Sequence, residues 1–479
     1  MISDILFVAR VLSLVFIFIV IFIDKRKPES TIAWVLILTF IPYFGVLLYI
    51  ILADTFRFNI HRREHEKLTL NSKYKKTISN QIKFIKNDDK LLKHSQLGGL
   101  ILLNSQSGSL VTANNDIKVY TNGYDKYKAL FNDIEKATQY IHISYYIIRR
   151  DEYGKKLIDT LIKKAQQGVE IRVLFDHIGS KVIRKKAFKK LIDAGGQVEK
   201  FFPSKIFFKP YLNHRNHRKM VIIDGKIAYA GGMNIGKEYC GEDKKIQPWA
   251  DRHIRIKGDG VTSFQLLFFL DYTFVSDEKI DFSDKEIVKK YFPKVKSHGN
   301  QVLQVVASGP DYKQENIKHA YLKMINEAKE SVLIETPYLI LDESVMDALR
   351  ISIKSGVDVK IIIPGVADKK IVYLATLSYA RELINMGAKI YTYNGFMHSK
   401  VLISDNYITS IGSANMDRRS FSLNFEVNSF IYNKEFNAFN RQLVYNDIDN
   451  SELLNDKIKK KNKFGLWLEK IFRLLAPIL

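Results

Sequence analysis

The sequence of 479 residues predicts an α/β fold, in which two duplicated lobes with mixed sheets flanked by helices follow an N-terminal transmembrane helical hairpin. Three observations carry this prediction: an octapeptide that occurs twice, alternation of strand-like and helix-like segments around each copy, and two long apolar runs at the start of the chain. The predicted divisions are 1–57 (two transmembrane helices), 58–115 (a polar, partly helical linker), 116–298 (first lobe), 299–450 (second lobe) and 451–479 (a basic amphipathic segment).

The two apolar runs are Ile5–Ile23, which contains Arg10, and Ile32–Leu52, which has no charged residue. At about 1.5 Å per residue each run is close to 30 Å long, the thickness of a bilayer core. They predict two transmembrane helices, and Arg10 lies near enough to the end of its run to reach the interface. Basic residues after Leu52 favour a cytoplasmic body, although the loop 24–31 is also basic.

Strand and helix patterns alternate through both lobes. In the first lobe a helix is predicted over 124–137 and another over 155–167, with apolar strand segments at 117–120, 140–148 and 169–175. In the second lobe the segments 332–341, 344–354 and 356–363 repeat the order strand, helix, strand. Such alternation indicates α/β lobes with largely buried sheets.

The repeated octapeptide has the form His-x-Lys-x4-Asp. It supplies His217, Lys219 and Asp224 in the first copy and His398, Lys400 and Asp405 in the second, 181 positions further on. The same offset relates Gly231 to Gly412 and Asn234 to Asn415, which indicates an internal duplication. In an extended segment residues two apart share a face, so imidazole and ammonium are expected side by side.

The two aspartates have two interpretations. Asp224 and Asp405 each end an apolar strand at a turn, Asp224-Gly225 or Asp405-Asn406. Aspartate is common in such turns for its own hydrogen bonds. A structural role and a direct chemical role are both open, and we include the two residues among the candidate catalytic set.

Composition sets broad limits on function. The net charge of +23 predicts an anionic partner, for which nucleic acid and acidic phospholipid would both serve. Cys240 is the single cysteine, which excludes an intrachain disulfide and a cysteine-based zinc site. The C-terminal segment places Phe464, Trp467, Leu468 and Ile471 at helical spacing among basic residues, which suits either an anionic membrane surface or docking on the protein core.

The two motifs, followed by Gly231-Gly232-Met233-Asn234 and by Gly412-Ser413-Ala414-Asn415, resemble those of the phospholipase D superfamily. The likeness extends from the N-terminal hairpin to the C-terminus and is greatest for the bacterial cardiolipin synthase branch. It implies two phospholipase D-like lobes, each contributing one His-Lys pair to a single active site.

The chemistry of a phosphodiester fits this set of residues. Exchange of its alcohol needs a nucleophile, an acid for the leaving alkoxide and positive charge around the phosphoryl oxygens. The resemblance implies a covalent phosphohistidine, with His217 as nucleophile and His398 as acid and base. Lys219 and Lys400 would bind the phosphoryl oxygens, with Asn234 and Asn415 as hydrogen-bond donors.

Supporting residues follow from the same resemblance, because superfamily members place a downstream carboxylate against a catalytic histidine. Glu426 is the candidate beside His398, and Asp251 is the candidate beside His217; Ser413 is included as a further supporting residue. No cofactor and no metal is expected, since His142, His177, His214 and His253 form no recognised ligand cluster.

The resemblance implies a cardiolipin synthase that transfers a phosphatidyl group between two phosphatidylglycerol molecules and releases glycerol. The expected partners are phosphatidylglycerol and an anionic membrane, without nucleic acid, and the expected location is the cell membrane, multi-pass, with a cytoplasmic catalytic body. Three alternatives stay open: a phospholipase D or phosphatidyltransferase with another acceptor such as serine, a phospholipase D-like nuclease, and a non-catalytic anionic-lipid-binding protein.

Overall fold

The computed structural model describes residues 2–23, 28–52, 72–87, 96–180, 183, 185–201, 214–243, 246–276, 278, 280–296, 298–454 and 472–473. These residues fall into two compact units, one with the N-terminal helices and one with both lobes. Of the predicted C-terminal amphipathic segment, residues 455–471 and 474–479 lie outside the described residues.

The N-terminal unit is a helical hairpin packed through a small apolar core. Its helices are Ile2–Phe18, continued as a π-helix over Ile19–Ile23, then Pro28–Phe40 and Pro42–Leu52. Val20, Leu38 and Tyr49 are fully buried among them, and the Ser13 hydroxyl donates to the Leu38 carbonyl. Most of the other apolar side chains whose placement in the hairpin is described face outward, Phe22 and Phe40 among them.

The second predicted span is divided in two, which differs from the prediction of one unbroken helix. Pro42 lacks an N–H and its ring crowds the preceding turn, so the first helix ends at Phe40 and a new one begins at Pro42. Among the described residues no helix has both the length and the apolar character required to cross a membrane.

Nineteen strands are described in the second unit. In chain order they are β1 Val111–Tyr120, β2 Tyr140–Tyr145, β3 Glu170–Asp176, β4 Gln197–Phe201, β5 Met220–Ile223, β6 Ile227–Gly231, β7 Trp249–Ala250, β8 His253–Lys257, β9 Gln301–Ser308, β10 Ser331–Glu335, β11 Leu339–Ile340, β12 Asp358–Pro364, β13 Lys389–Tyr393, β14 Phe396–Met397, β15 Val401–Ser404, β16 Ile408–Gly412, β17 Met416–Asp417, β18 Glu426–Tyr432 and β19 Ser451–Leu453.

The helices of this unit pack against the sheet or connect its strands. The α-helices are Ser72–Asn87, Gln96–Gln106, Gly123–Glu135, Glu152–Gln166, Lys189–Asp193, Val261–Val275, Lys285–Tyr291, Asn316–Glu327, Glu343–Lys354, Lys370–Met386, Arg418–Ser422 and Lys434–Asp449, and the short 3-10 turns are Lys185–Phe188 and Lys237–Cys240. Side-chain caps fix several starts; Asp342, for example, accepts from the Val345 amide.

One mixed sheet runs through both lobes and confirms the predicted α/β class. Its order is β19-β13-β12-β10-β15-β16-β18-β9-β1-β8-β6-β5-β2-β3-β4. The pairs β2–β3, β3–β4, β10–β12 and β12–β13 are parallel, and the other neighbours in the sheet are antiparallel. Followed outward from the β1–β9 junction, the order β1-β8-β6-β5-β2-β3-β4 in the first lobe matches β9-β18-β16-β15-β10-β12-β13 in the second. The lobes are therefore related by a local two-fold axis.

Each lobe has its own apolar core on one side of this sheet. Helices Gly123–Glu135 and Glu152–Gln166 cover the first lobe, and helices Asn316–Glu327, Glu343–Lys354 and Lys370–Met386 cover the second. The two helices that precede β1 also pack on the second core, through Ile85, Leu100 and Ile101. The sheet therefore holds the central strands of both lobes in one rigid layer.

Candidate active site

The first His-Lys segment is extended, and its side chains alternate between two environments. Asn216 and Arg218 turn inward, where both donate to Asp271, and Arg218 is fully buried. His217 and Lys219 emerge on the opposite face, just before β5 begins at Met220. The sequence prediction that the imidazole and the ammonium lie side by side agrees with this arrangement.

The second segment repeats the arrangement before β15. His398 and Lys400 precede Val401, the first residue of that strand, and Ser399 between them is buried. Each lysine ammonium donates to the carbonyl oxygen of the histidine two residues earlier. The bond turns each ammonium back towards its own histidine.

Backbone hydrogen bonds join each histidine to the opposite lobe. The His217 amide donates to the Phe425 carbonyl at 3.0 Å, and the His398 amide donates to the Ala250 carbonyl at 2.7 Å. The second contact continues a short parallel pairing of β14 with β7. Each histidine segment is therefore held beside the residues that lead into β18 or β8 of the other half.

These pairings bring a carboxylate of one lobe to the histidine of the other. Nδ1 of His217 lies 2.9 Å and 3.1 Å from the two carboxylate oxygens of Glu426. Nδ1 of His398 lies 2.6 Å from Oδ2 of Asp251. Both carboxylates are fully buried, so no solvent competes for them.

The predicted assignment of the carboxylates to histidines is therefore wrong, since Glu426 was expected beside His398 and Asp251 beside His217. The two-fold axis is the physical reason: each carboxylate directly follows the segment that is bonded to the other lobe's histidine. Glu426 and Asp251 occupy the same place in the two lobes, because Asn428 faces Gly412 as His253 faces Gly231 in the strand register.

The hydrogen bonds fix the tautomer of each ring. Nδ1 of His217 also lies 3.1 Å from the Ser413 carbonyl oxygen, and since all its neighbours are acceptors this nitrogen carries the hydrogen. Nδ1 of His398 faces a carboxylate alone and is the donor as well. In the neutral ring the lone pair is then on Nε2, which can attack phosphorus or accept a proton.

The pKa shifts indicate that the two histidines and the two lysines act on one another. Burial, together with Lys400 and Lys219, lowers the pKa of His398 to about 3 against the opposing effect of Asp251. Burial also lowers the pKa of His217, with opposition from Glu426 and help from Lys219 and Lys400. Each imidazole thus responds to the lysine of the other lobe, and both rings are neutral near pH 7 without substrate.

The same burial makes the two lysine ammonium groups lose their protons more readily than they would in water. It lowers the pKa of Lys400 to about 8 and lowers that of Lys219 well below its ordinary value. Burial alone would raise the pKa of Glu426, but His217, Lys219 and Ser413 lower it, so this carboxylate stays ionised. An anionic ligand between the lysines would restore their charge, which favours phosphate binding.

The structure places Asp224 and Asp405 away from this site, at the far ends of β5 and β15. Asp224 accepts hydrogen bonds from the amides of residues 138–140 and from the Thr138 hydroxyl. Asp405 accepts from the amides of residues 329–331. Both have positive φ, 51° and 48°. Of the two interpretations given above, the geometry matches the turn and not the chemical role.

Asn234, Asn415 and Ser413 lie in the same region and support it through protein contacts. The Asn234 amide donates to the Tyr239 hydroxyl and accepts from Ile147, and the Asn415 amide donates to Asp417. The Ser413 hydroxyl donates to Glu426. One N–H of each amide is thus committed within the protein, and their direct donation to a phosphoryl oxygen stays a prediction.

Aromatic side chains, which the sequence did not single out, form the walls beside the histidines. The Tyr146 ring lies 4.8 Å from His217, centroid to centroid. Trp249 and Tyr239 lie 5.0 Å and 5.8 Å from His398. Their positions after β2 and before β8 carry no motif, so only strand pairing could reveal them.

Two buried arginines that the sequence also did not reveal join the lobes. Arg218 donates to the main-chain carbonyls of Glu426 and Ser308 across the lobe boundary. Arg252 reaches Glu335 and Asp447 of the second lobe. Arg218 stands between the motif histidine and lysine, and strict alternation along an extended segment was the available signal for its inward direction.

Within the described part of the chain, no group of three or more His, Cys, Asp or Glu side chains is arranged to hold a metal ion.

Comparison with known proteins identifies the family. The family model described as "Cardiolipin synthase, PLD-like domain" matches residues 130–245 and 321–444. The model described as "Phospholipase_D-nuclease N-terminal" matches residues 11–53. The first of these matches falls on both lobes and includes both histidines, in agreement with the duplication.

Relatives named as cardiolipin synthases match almost the whole chain. "Cardiolipin synthase 2" of Staphylococcus epidermidis is 41% identical over 482 residues, which cover 98% of this chain and 97% of that protein. "Cardiolipin synthase" of Oceanobacillus iheyensis is 42% identical over 468 residues, 96% of each chain. "Cardiolipin synthase" of Staphylococcus aureus strain N315 is 40% identical over 485 residues, 98% of this chain and 96% of that one.

Among solved structures, phosphatidylserine synthase of Haemophilus influenzae Rd KW20 shares the fold, with a TM-score of 0.58 and 16% identity over 77% of this chain and 95% of that chain. The duplicated lobes, the paired histidines and the full-length relatives agree, and the chain belongs to the cardiolipin synthase family of phospholipase D-like proteins.

Proposed function

We propose that this protein is a cardiolipin synthase, which transfers the phosphatidyl group of one phosphatidylglycerol to a second one and releases glycerol. The observation that carries the proposal is the pair of imidazoles, each oriented by a carboxylate of the other lobe and accompanied by a lysine. Relatives that bear this name match the chain over nearly its full length.

The reaction proceeds in two displacements. Binding of the phosphodiester anion favours protonation of one imidazole at Nε2. Nε2 of the other imidazole attacks the donor phosphorus, a P–N bond forms, the bond to glycerol breaks, and the leaving alkoxide takes the proton from the protonated imidazole. In the second step that imidazole removes the proton from an acceptor hydroxyl, whose oxygen forms the new P–O bond as the P–N bond breaks. One phosphodiester replaces another, so no nucleotide is consumed.

Each side chain has a physical task in this scheme. Glu426 and Asp251 hold the tautomer that presents Nε2, and they stabilise the imidazolium that forms during proton transfer. Lys219 and Lys400 neutralise charge on the non-bridging oxygens, where burial makes each ion pair stronger than in water. We keep His217 as the proposed first nucleophile, although the hydrogen bonds prepare both rings in the same way.

The site needs access to lipids, and we propose that residues 1–57 attach the protein to the cell membrane. The hairpin leaves large apolar side chains exposed, Phe7, Phe22 and Phe40 at 69%, 71% and 78%. An exposed apolar surface of this kind favours lipid contact. The net charge of +23 adds attraction to an anionic bilayer, and we propose a multi-pass arrangement with a cytoplasmic body.

The experiment is product analysis on defined lipids. Purified protein in phosphatidylglycerol bilayers, without ATP or divalent metal, is expected to form cardiolipin and glycerol in equal amounts. The variant His217→Ala is expected to form neither product. Mixed acceptors separate the alternatives: exclusive formation of phosphatidic acid, or of a serine lipid when serine is supplied, would reject the synthase in favour of another transferase or a phospholipase.

A further inference from the structure

Three aromatic side chains surround one of the two histidines. Measured between ring centroids, Trp249 lies 5.0 Å, Tyr239 5.8 Å and Phe396 5.9 Å from His398. Trp249 also contacts each of the other two rings at 4.9 Å. The three side chains therefore form one continuous surface, which we call the His398 wall.

The other lobe has polar residues at the equivalent places. The offsets of 181 and 175 that relate the lobes put Arg215, Ser420 and Asn424 where the wall has Phe396, Tyr239 and Trp249. The Asn424 side chain donates to Glu426 at 3.4 Å, and the Ser420 hydroxyl accepts from the Asn415 amide at 3.1 Å. The His-Lys-carboxylate chemistry that both lobes share therefore does not require an aromatic wall.

The backbone holds this wall against the histidine. β7 and β14 pair in parallel with Trp249 opposite Phe396, and the Phe396 amide donates to the Pro248 carbonyl at 2.8 Å. A Cβ on Gly395 would lie 2.1 Å from that carbonyl oxygen, so this close approach requires glycine. Tyr239 and Phe396 are buried, while Trp249 is partly exposed. Trp249 is therefore the member of the wall that a ligand can reach.

The exposed part of the Trp249 indole is hydrocarbon. Its one polar atom, Nε1, is buried, and no residue that the structure describes accepts a hydrogen bond from it. A carbon surface of this kind attracts the C–H groups of a ligand and offers no hydrogen bond to water.

In the proposed reaction the leaving and the entering alcohol use the same place. Displacement at phosphorus is in line, so both alcohol oxygens lie opposite the attacking Nε2 of His217 and next to Nε2 of His398, which gives and later takes the proton. The His398 wall thus borders the position of the alcohols. His217 is bonded to phosphorus at this stage and needs no such border, which matches the polar residues in its lobe.

Building on the proposed function, with His217 as the nucleophile, we propose that Trp249, supported by Tyr239 and Phe396, forms an alcohol subsite. The subsite binds the glycerol carbons of phosphatidylglycerol and keeps water away from the phosphohistidine.

The subsite decides between two fates of one intermediate. When an acceptor hydroxyl attacks, its oxygen forms the new P–O bond as the P–N bond breaks, His398 takes the proton, and the product is cardiolipin. When water attacks in the same way, the product is phosphatidic acid. Contact with carbon favours the glycerol hydroxyl over water, so Trp249 should control the ratio of the two products.

The test measures cardiolipin and phosphatidic acid formed from phosphatidylglycerol bilayers by the purified full-length protein. Both products come from the same phosphoenzyme, so their ratio does not depend on the folded fraction. Wild-type protein should form cardiolipin in at least about tenfold excess, and Trp249→Ala should lower the ratio about tenfold, the factor expected for lost contact with two or three carbons. Trp249→Phe keeps an aromatic face and should stay within about threefold of wild type.

A second variant keeps the test decisive if Trp249→Ala does not fold. Trp249→Leu fills more of the space but lacks the flat ring, and it should lower the ratio about fivefold.

The matched control is Tyr146→Leu, which removes the aromatic ring that lies 4.8 Å from His217. Whatever its effect on the total rate, the product ratio should stay at the wild-type value, because this ring is beside the nucleophile. The alcohol subsite is rejected if the Trp249 variants keep the wild-type ratio, if Tyr146→Leu lowers it as much, or if wild-type protein forms as much phosphatidic acid as cardiolipin. Wild-type protein that forms neither product, or phosphatidic acid alone, would instead reject the proposed function.

Discussion

His217 and His398 each depend on a carboxylate that lies far away in the chain, and this crossing can be measured as a coupling between residues. In a double-mutant cycle of thermal stability, His217→Gln and Glu426→Gln should be non-additive by about 1–3 kcal/mol, because the two side chains share hydrogen bonds. The pair His398→Gln and Glu426→Gln is the control and should be closer to additive. Stronger coupling in the control pair would contradict the crossed assignment.

The buried lysines predict how the rate depends on pH. Lys400 binds phosphate only as the ammonium ion, and with a pKa of about 8 in the free protein the ammonium is lost as pH rises through that value. We expect kcat/KM to fall above about pH 8 for this reason. Rates in micelles with a low fraction of phosphatidylglycerol test this, and a flat profile up to pH 10 would contradict it.

At the residue scale, the histidines and lysines could be predicted from the sequence, because a repeated motif can be recognised without knowledge of the fold. The prediction assigned each carboxylate to the wrong histidine, because proximity in sequence favoured Asp251 for His217 and Glu426 for His398. The duplication also hid their equivalence: they are 175 positions apart, whereas the motifs are 181 apart, so the loop before Asp251 is six residues longer than its counterpart.

At the scale of elements, the aspartates in the turns after β5 and β15 accept hydrogen bonds from the backbone that leads from a helix into β2 and into β10. Asp405→Ala should lower the stability of the folded protein by about 2–4 kcal/mol, because three backbone amides lose their acceptor and alanine is strained at φ 48°. The measurement is thermal unfolding of the purified protein.

Asp405→Asn is the control for this prediction. Its one carbonyl oxygen can still accept from the amides of Glu330 and Ser331, which Oδ1 of Asp405 holds now. A smaller loss is therefore expected. For both variants kcat of the folded fraction should stay within about threefold of wild type; a large fall in kcat at unchanged stability would return Asp405 to a chemical role.

Element types were largely predictable, and the exceptions have local causes. The predicted helix 124–137 is observed as Gly123–Glu135, where Asn122 caps its start, and 155–167 is observed as Glu152–Gln166, capped by Asp151. The pattern of apolar residues gave the period but not these caps. Hydropathy alone also passed over Pro42, which divides the second apolar run.

At the scale of the whole molecule, the lobes are held together by polar contacts as well as by the β1–β9 pairing. Arg218→Met should destabilise the protein by about 3–5 kcal/mol, since it leaves Asp271 buried without its main cation. The double variant Arg218→Met with Asp271→Leu should regain at least half of that loss. Equal stability of wild type and Arg218→Met would contradict a stabilising role for this buried arginine.

A continuous sheet across both lobes could not be predicted from periodicity. Alternation of apolar residues shows that β1 and β9 are strands, but nothing in it says that they pair with each other. Their antiparallel pairing creates the two-fold axis. Because of this axis, the carboxylate of each lobe lies beside the histidine of the other lobe. The arrangement of the site is therefore a property of the assembled pair of lobes.

The pairing of each histidine with a carboxylate of the other lobe has a consequence during synthesis of the chain. Glu426 is 209 residues downstream of His217, so a nascent chain still being extended on the ribosome has its first imidazole but not the acid group that orients it. Asp251 is likewise synthesised before its partner, His398. A truncated product that ends before residue 398 would carry neither finished pair.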